Sequence, residues 1–242
     1  RRLPIDLQLG READSAQIRA ANADHVIIAT GALREAPDIA GKDQRHVFDG
    51  EQLRGVLFGT DKAAIAKLSW FARCALWAGR LSGALRSISL LRFASRLWMP
   101  LADQVVIIGG GLVGLELAEY LVERGRNVTV IEPGPALGAE LAIVRRARVL
   151  HMLREHHVDI HKDAPVVAIT QDSVLCEIDG QKQAIPAKQV IVALGAEGDN
   201  RLAAQLTDIS ATVHRIGDCR EVSYIDGAIL SAREAVMAIQ GA

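Results

Sequence analysis

Apolar and polar positions along the chain switch between the two-residue period of strands and the three-to-four-residue period of helices. Ile5 to Leu9 alternates and predicts a short strand, and Asp14 to Ala23 predicts a brief helix. His25-Val-Ile-Ile-Ala-Thr-Gly31 runs apolar and stops at glycine, as a buried parallel strand does on entering a tight loop. Residues 33–60 are broken by Pro37, Gly41, Gly50, Gly55 and Gly59 and read as a linker with little regular structure. In 62–100, Ile65, Leu68, Phe71, Ala72, Ala75 and Leu76 fall on one stripe, and Gly79 and Gly83 interrupt it, which predicts two amphipathic helices.

From 104 onward strands and helices alternate. Strands are predicted over 104–108, 127–132 and 158–160, with helices over 113–124 and 141–156 between them. Three short alternating runs, 166–170, 174–178 and 183–186, are separated by turn residues and read as a meander. Gln189 to Gly195 is another buried strand, Val213 to Gly217 a short one, and 228–239 a closing helix. The class is α/β, a Rossmann-like three-layer unit with strands on both sides of it in sequence.

Gly109-Gly-Gly111-Leu-Val-Gly114-Leu-Glu116-Leu-Ala118 lies between a predicted strand and a predicted helix, the context in which a glycine-rich turn binds a dinucleotide. Gly109 permits the tight turn, Gly111 admits a pyrophosphate close to the backbone, and Gly114 lets helix and strand pack. The amides of Leu112 and Val113, at the positive end of the helix dipole, would face the phosphates. Glu132, 23 residues beyond Gly109, ends the second strand where a carboxylate accepts hydrogen bonds from a ribose. That carboxylate repels a 2′-phosphate, and 133–140 holds no arginine, so NADH is favoured over NADPH unless Arg145 and Arg146 fold back.

With 242 residues, 50% of them hydrophobic and 24% charged, the chain can bury a real core in one large domain or two small ones. A formal charge of −1 gives no whole-chain field toward nucleic acid. Cys74, Cys176 and Cys219 are far apart and form no metal or dithiol motif; Cys219 reads as a small buried residue, and His151, His156, His157 and His161 as surface histidines. No apolar run reaches the roughly 20 residues that span a bilayer, and a cytoplasmic location is expected.

Three further segments carry a family resemblance. Ala29-Thr30-Gly31 resembles the first crossover motif of the flavoprotein superfamily with two dinucleotide-binding domains, Ala193-Leu194-Gly195 the second, and Ile216-Gly217-Asp218-Cys219 its flavin-binding signature. In that superfamily the NAD(P)H domain is inserted into the FAD domain, which implies 1–60 and 194–242 as a partial FAD-binding domain and 101–193 as the NAD(H)-binding domain. ADHVIIATGA, PDIAG and HVFDGEQLRG look most like the C-terminal part of 2,4-dienoyl-CoA reductase and trimethylamine dehydrogenase-type proteins, which carry an FMN barrel and a 4Fe-4S cluster upstream. The resemblance implies that Asp218 hydrogen-bonds the FAD ribityl chain and that Glu116 lies close to the nicotinamide. Read without it, Asp218 is a turn or helix-capping carboxylate. A first glycine motif for FAD is absent before Ile5, so the chain reads as a C-terminal piece that binds FAD weakly or not at all by itself.

The resemblance leaves 61–100 unexplained. Residues 62–100 carry seven Lys or Arg, no Asp or Glu, and all three tryptophans, Trp70, Trp77 and Trp98. An interfacial membrane helix, a docking surface for upstream domains or another subunit, and packing over the protein's own core all fit this basic insert. The function expected is hydride transfer from NADH to FAD, with electrons passed to upstream centres acting on an enoyl, amine or related substrate. No residue here is an evident acid or base for that substrate. The alternative is a non-catalytic dinucleotide-binding module that uses the insert for assembly.

Overall fold

The computed structural model describes residues 4–33, 37–58, 60–81, 95–96 and 98–241. They divide into two compact units, residues 34–195 and residues 1–33 with 196–242. Residues 37–58 therefore go with the inserted unit, where the sequence reading grouped them with the flavin-side segments.

In the larger unit, β3 (Val47–Asp49), β4 (Gln104–Ile108), β5 (Asn127–Ile131), β6 (Asp159–His161) and β10 (Gln189–Val192) form one parallel sheet in the order β3-β10-β4-β5-β6. Both faces of β4 are buried, so its sequence is apolar without interruption. Val105 and Ile107 point to one side, into a core with Leu115, Ala118 and Leu121 of α5 (Leu112–Val122) and Val149 and Leu153 of α6 (Ile143–Glu155). Val106 and Ile108 point to the other, against Ile169, Val174 and Cys176 of the antiparallel meander β7-β8-β9 (Val166–Ile169, Ser173–Ile178, Gln181–Pro186). Helices, parallel sheet and meander are the three layers the sequence predicts.

Residues 33–60 correct the linker reading. They hold β3 and α2 (Gly50–Phe58), and the Asp49 carboxylate accepts the Gln52 amide at 2.7 Å, capping the helix. Such a cap contributes about 1 kcal/mol. The glycine that made the segment look irregular has a packing reason: a Cβ on Gly55 would stand 2.4 Å from Cβ of Asp61.

The insert begins with α3 (Lys62–Lys67) and α4 (Trp70–Leu81). The break falls at Leu68 and Ser69, not at Gly79, because Ser69 Oγ accepts the Ala72 amide and starts a new helix that runs on through Gly79. Leu68 and Ala72 are buried beside Phe48 with Ile65 and Leu76 packed on them, whereas Phe71 and Ala75, assigned to the same stripe by sequence, are exposed. Gly83, Arg86 and Arg92 lie outside the described residues.

In the smaller unit, β1 (His25–Ile28) pairs in parallel with β12 (Thr212–Arg215). Ile28, Leu206 and Cys219 form its core, flanked by α1 (Ser15–Ala20), with Leu202 and Ala203 of α7 (Arg201–Ala204) packed beside it. A two-residue ribbon joins β2 (Ala32–Leu33) to β11 (Glu197–Gly198). The closing helix α8 spans Tyr224–Gln240, starting earlier than its hydrophobic pattern predicts. Ile5 to Leu9 forms no strand: Ile5, Leu7 and Leu9 are all exposed and no described strand pairs with them.

Candidate functional site

The C-terminal edge of the parallel sheet is where an open α/β fold binds its ligand. There β4 ends at Ile108 and the chain turns through Gly109, Gly110 and Gly111 into α5. The turn is tied to both neighbouring strands: the Gly109 amide donates to the Ile131 carbonyl at 2.8 Å, and the Ala193 amide donates to the Ile108 carbonyl at 2.7 Å.

Each glycine has its own physical reason. Gly109 has φ +114°, a conformation an L side chain rarely adopts, and a Cβ there would lie 2.7 Å from the Ala193 carbonyl oxygen. At Gly114 a Cβ would meet the Gly109 carbonyl oxygen at 1.8 Å, so a hydrogen is what lets α5 sit this close to the turn. Gly111 has ordinary φ, and within 4 Å its Cβ would meet only the carboxylate of Glu140. The turn is thus closed by backbone on its strand side, and where a pyrophosphate would approach Gly111 it meets a side-chain carboxylate and no backbone, which fits a dinucleotide.

Two carboxylates converge on this turn. Glu132 Oε2 accepts the Gly110 amide at 2.6 Å, and its Oε1 accepts the Gly134 amide at 2.7 Å. Glu140 Oε1 accepts the Leu112 amide, the first of α5. The sequence placed Glu132 correctly at the end of β5 but gave no sign of Glu140, because that contact depends on the path of the loop between β5 and α6. Leu112 and Val113 are at the helix start as expected, but the Leu112 amide already holds a carboxylate. Glu116 lies on the exposed side of α5, paired with Arg145 at 3.2 Å. Arg145 also reaches Glu119 at 3.5 Å, so it is engaged on α5 and not folded back to Glu132.

Gly195 has φ +81° at the end of the β10 segment of this unit. In the smaller unit, Ala29, Thr30 and Gly31 follow β1. Thr30 Oγ1 donates to the Asp199 carbonyl at 3.0 Å, and the Asp199 amide donates to the Gly31 carbonyl at 3.0 Å. Gly217, with φ +62°, donates its amide to buried Ser231 Oγ of α8 at 2.8 Å. The next residue, Asp218, accepts the Ser223 amide on Oδ1 at 3.2 Å. That bond makes Asp218 a turn carboxylate just ahead of α8, as its residue context alone reads. Cys219 is buried, its thiol 3.1 Å from the Ile28 carbonyl oxygen. No His, Cys, Asp and Glu grouping among the described residues is suited to a metal ion.

A parallel sheet that feeds a three-glycine turn into a helix, with a carboxylate ending the adjacent strand, defines a dinucleotide-binding α/β protein. More particularly, the chain belongs to the pyridine nucleotide-disulphide oxidoreductase family, whose profile matches residues 8–218. It is 31% identical over 219 residues to bilirubin reductase of Mediterraneibacter gnavus, covering 90% of this chain and 28% of that protein. Identity to the NADH oxidase of Thermoanaerobacter brockii is 26% over 232 residues, covering 95% of this chain and 30% of that one. Among solved structures, 2-naphthoyl-CoA reductase in complex with 2-naphthoyl-CoA superposes with a TM-score of 0.66 at 26% identity, covering 93% of this chain and 28% of that chain. The chain thus spans less than a third of the length of each of these relatives. The resemblance to flavoproteins with two dinucleotide-binding domains, and to their dienoyl-CoA reductase-like branch, is borne out.

Proposed function

We propose that this chain is the pyridine-nucleotide side of a flavin-dependent oxidoreductase, binding NADH at the Gly109–Gly114 turn. The observation that carries this reading is the turn itself: glycines at the start of a helix, with Gly109 and Gly114 barred from carrying a side chain by backbone carbonyls, next to the carboxylate that follows the adjacent strand. Bound there, NADH supplies a hydride for reduction of a flavin. The chain's own residues bind and orient. Gly111 and the first amides of α5 would face the pyrophosphate once Glu140 gives up the Leu112 amide, and Glu132 would accept from the adenosine ribose hydroxyls. Glu132 carries a negative charge against a 2′-phosphate and Arg145 is occupied by Glu116 and Glu119, which supports NADH over NADPH.

In the smaller unit, Ala29, Thr30, Gly31, Gly217 and Asp218 are the residues assigned to FAD by resemblance. Electrons then pass to redox centres outside this chain that act on an enoyl, amine or related substrate. A second reading, an assembly module without hydride transfer, has one observation in its favour: α4 turns Trp70, Phe71, Trp77 and Leu81 outward beside the exposed Arg73, a face suited to the upstream domains or another subunit. The test is NADH titration of the full chain, followed by NADH-dependent dye reduction once flavin is supplied. Saturable binding that Gly111→Leu abolishes supports the dinucleotide site; no binding by the unaltered chain overturns it. Binding without dye reduction favours the assembly module.

A further inference from the structure

The amide that should greet a phosphate is already in use. α5 has a glycine at its N-cap, Gly111, which has no side chain to satisfy the helix's first amides. Glu140, from the loop after β5, takes that role: its carboxylate accepts the Leu112 amide and fills the space where a Gly111 side chain would be. An anion on the first amide of a helix is in the place a dinucleotide's pyrophosphate occupies in this fold. We propose that Glu140 is an internal competitor for the pyrophosphate seat, and that its displacement sets the affinity of this site for phosphate-bearing nucleotides. The inference rests on the dinucleotide reading above.

The loop is built so that Glu140 can leave without taking the turn apart. Its anchor is elsewhere: Leu137 is buried against Gly110, and the Gly138 amide donates to the Gly110 carbonyl at 2.8 Å. Glu140 itself is exposed, two residues beyond that anchor, so displacing its carboxylate from the Leu112 amide leaves Leu137 and Gly138 in place on the turn. Displacement is also enforced by charge. A pyrophosphate and a carboxylate cannot share one amide, and Glu132 already puts a second negative charge beside Gly110. A nucleoside without phosphate competes with neither group.

The experiment is calorimetric titration of the full chain, Glu140→Gln and Glu140→Ala with adenosine, ADP and NADH, with circular dichroism to verify folding. Removing the charge is expected to tighten ADP and NADH binding roughly twofold to fivefold, the scale of an exposed charge at a helix N-terminus, and to leave adenosine unchanged. ADP affinity that is unaltered or weaker in both variants overturns the proposal while the dinucleotide site stands. An equal gain for adenosine also overturns it, since that would report a loosened loop and not a vacated anion seat. Absence of ADP and NADH binding in all three folded proteins overturns this proposal together with the dinucleotide reading.

Discussion

A Cβ on Gly114 would lie 1.8 Å from the carbonyl oxygen of Gly109, five residues earlier and at the end of the central strand. No side-chain rotation relieves that overlap, because both atoms belong to or hang directly from backbone. Gly114→Ala must push α5 away from β4 and open a core in which Leu115, Ala118 and Leu121 are fully buried. The expected cost is about 1–3 kcal/mol in urea unfolding, with loss of NADH binding. Gly125→Ala is a control for glycine replacement, since a Cβ there meets nothing within 4 Å although its φ of +70° carries its own strain.

Glu132 joins the glycine turn to the start of the following loop through two amides, Gly110 and Gly134. Glu132→Gln removes the charge and leaves an amide group unable to accept equally on both ends. A half-buried backbone donor then loses its partner, for an expected loss of about 1–2 kcal/mol in thermal or urea unfolding. The same substitution removes repulsion of a 2′-phosphate, so the ratio of NADPH to NADH dissociation constants is expected to fall toward one. An unchanged ratio would detach Glu132 from cofactor choice.

His46 lies just before β3, and burial lowers its pKa below the usual histidine range. The Thr170 backbone and the Asp172 charge oppose that shift, while Lys67 adds to it. Its Nε2 is buried without a hydrogen-bond partner among the described residues, so the neutral ring is the one the fold accepts. The unfolded chain binds a proton at about pH 6.5, and the folded chain only at lower pH. Stability is therefore expected to be full above that value, to fall as the pH drops toward the folded pKa, and to level off below it. His46→Gln should flatten that part of the profile in urea unfolding measured between about pH 7 and 5; a profile with the same slope would assign the loss to other groups.

The elements legible in the sequence are those whose pattern is set by burial on both faces. β4 and β10 are apolar after their first residue because helices cover one face and the meander the other, and α5 and α6 keep a helical stripe against that sheet. The glycine turn and Glu132 were legible for a related reason: their spacing follows from the length of one strand, one helix and the next strand. Where local pattern and packing parted, the pattern misled. Ile5, Leu7 and Leu9 alternate as a strand does, yet an alternating segment forms none without a neighbour to pair with. Residues 47–58 looked irregular because Gly50 and Gly55 resemble turn residues, although Gly55 is there to let Asp61 approach.

By itself, then, the sequence determined the α/β class, the order of the strands and helices around the glycine turn, and the carboxylate that ends β5. These are local in origin, set by hydrophobic period, by glycine's conformational range and by the reach of short elements. Tertiary structure alone decided that β3 joins the edge of the parallel sheet, that the apolar face of α4 made by Trp70, Phe71 and Trp77 points outward, and that Glu140 reaches the Leu112 amide. Glu140 lies 28 residues from Leu112, and only the anchoring of Leu137 and Gly138 on the turn brings a carboxylate to a helix end where hydrophobic pattern carries no information about charge.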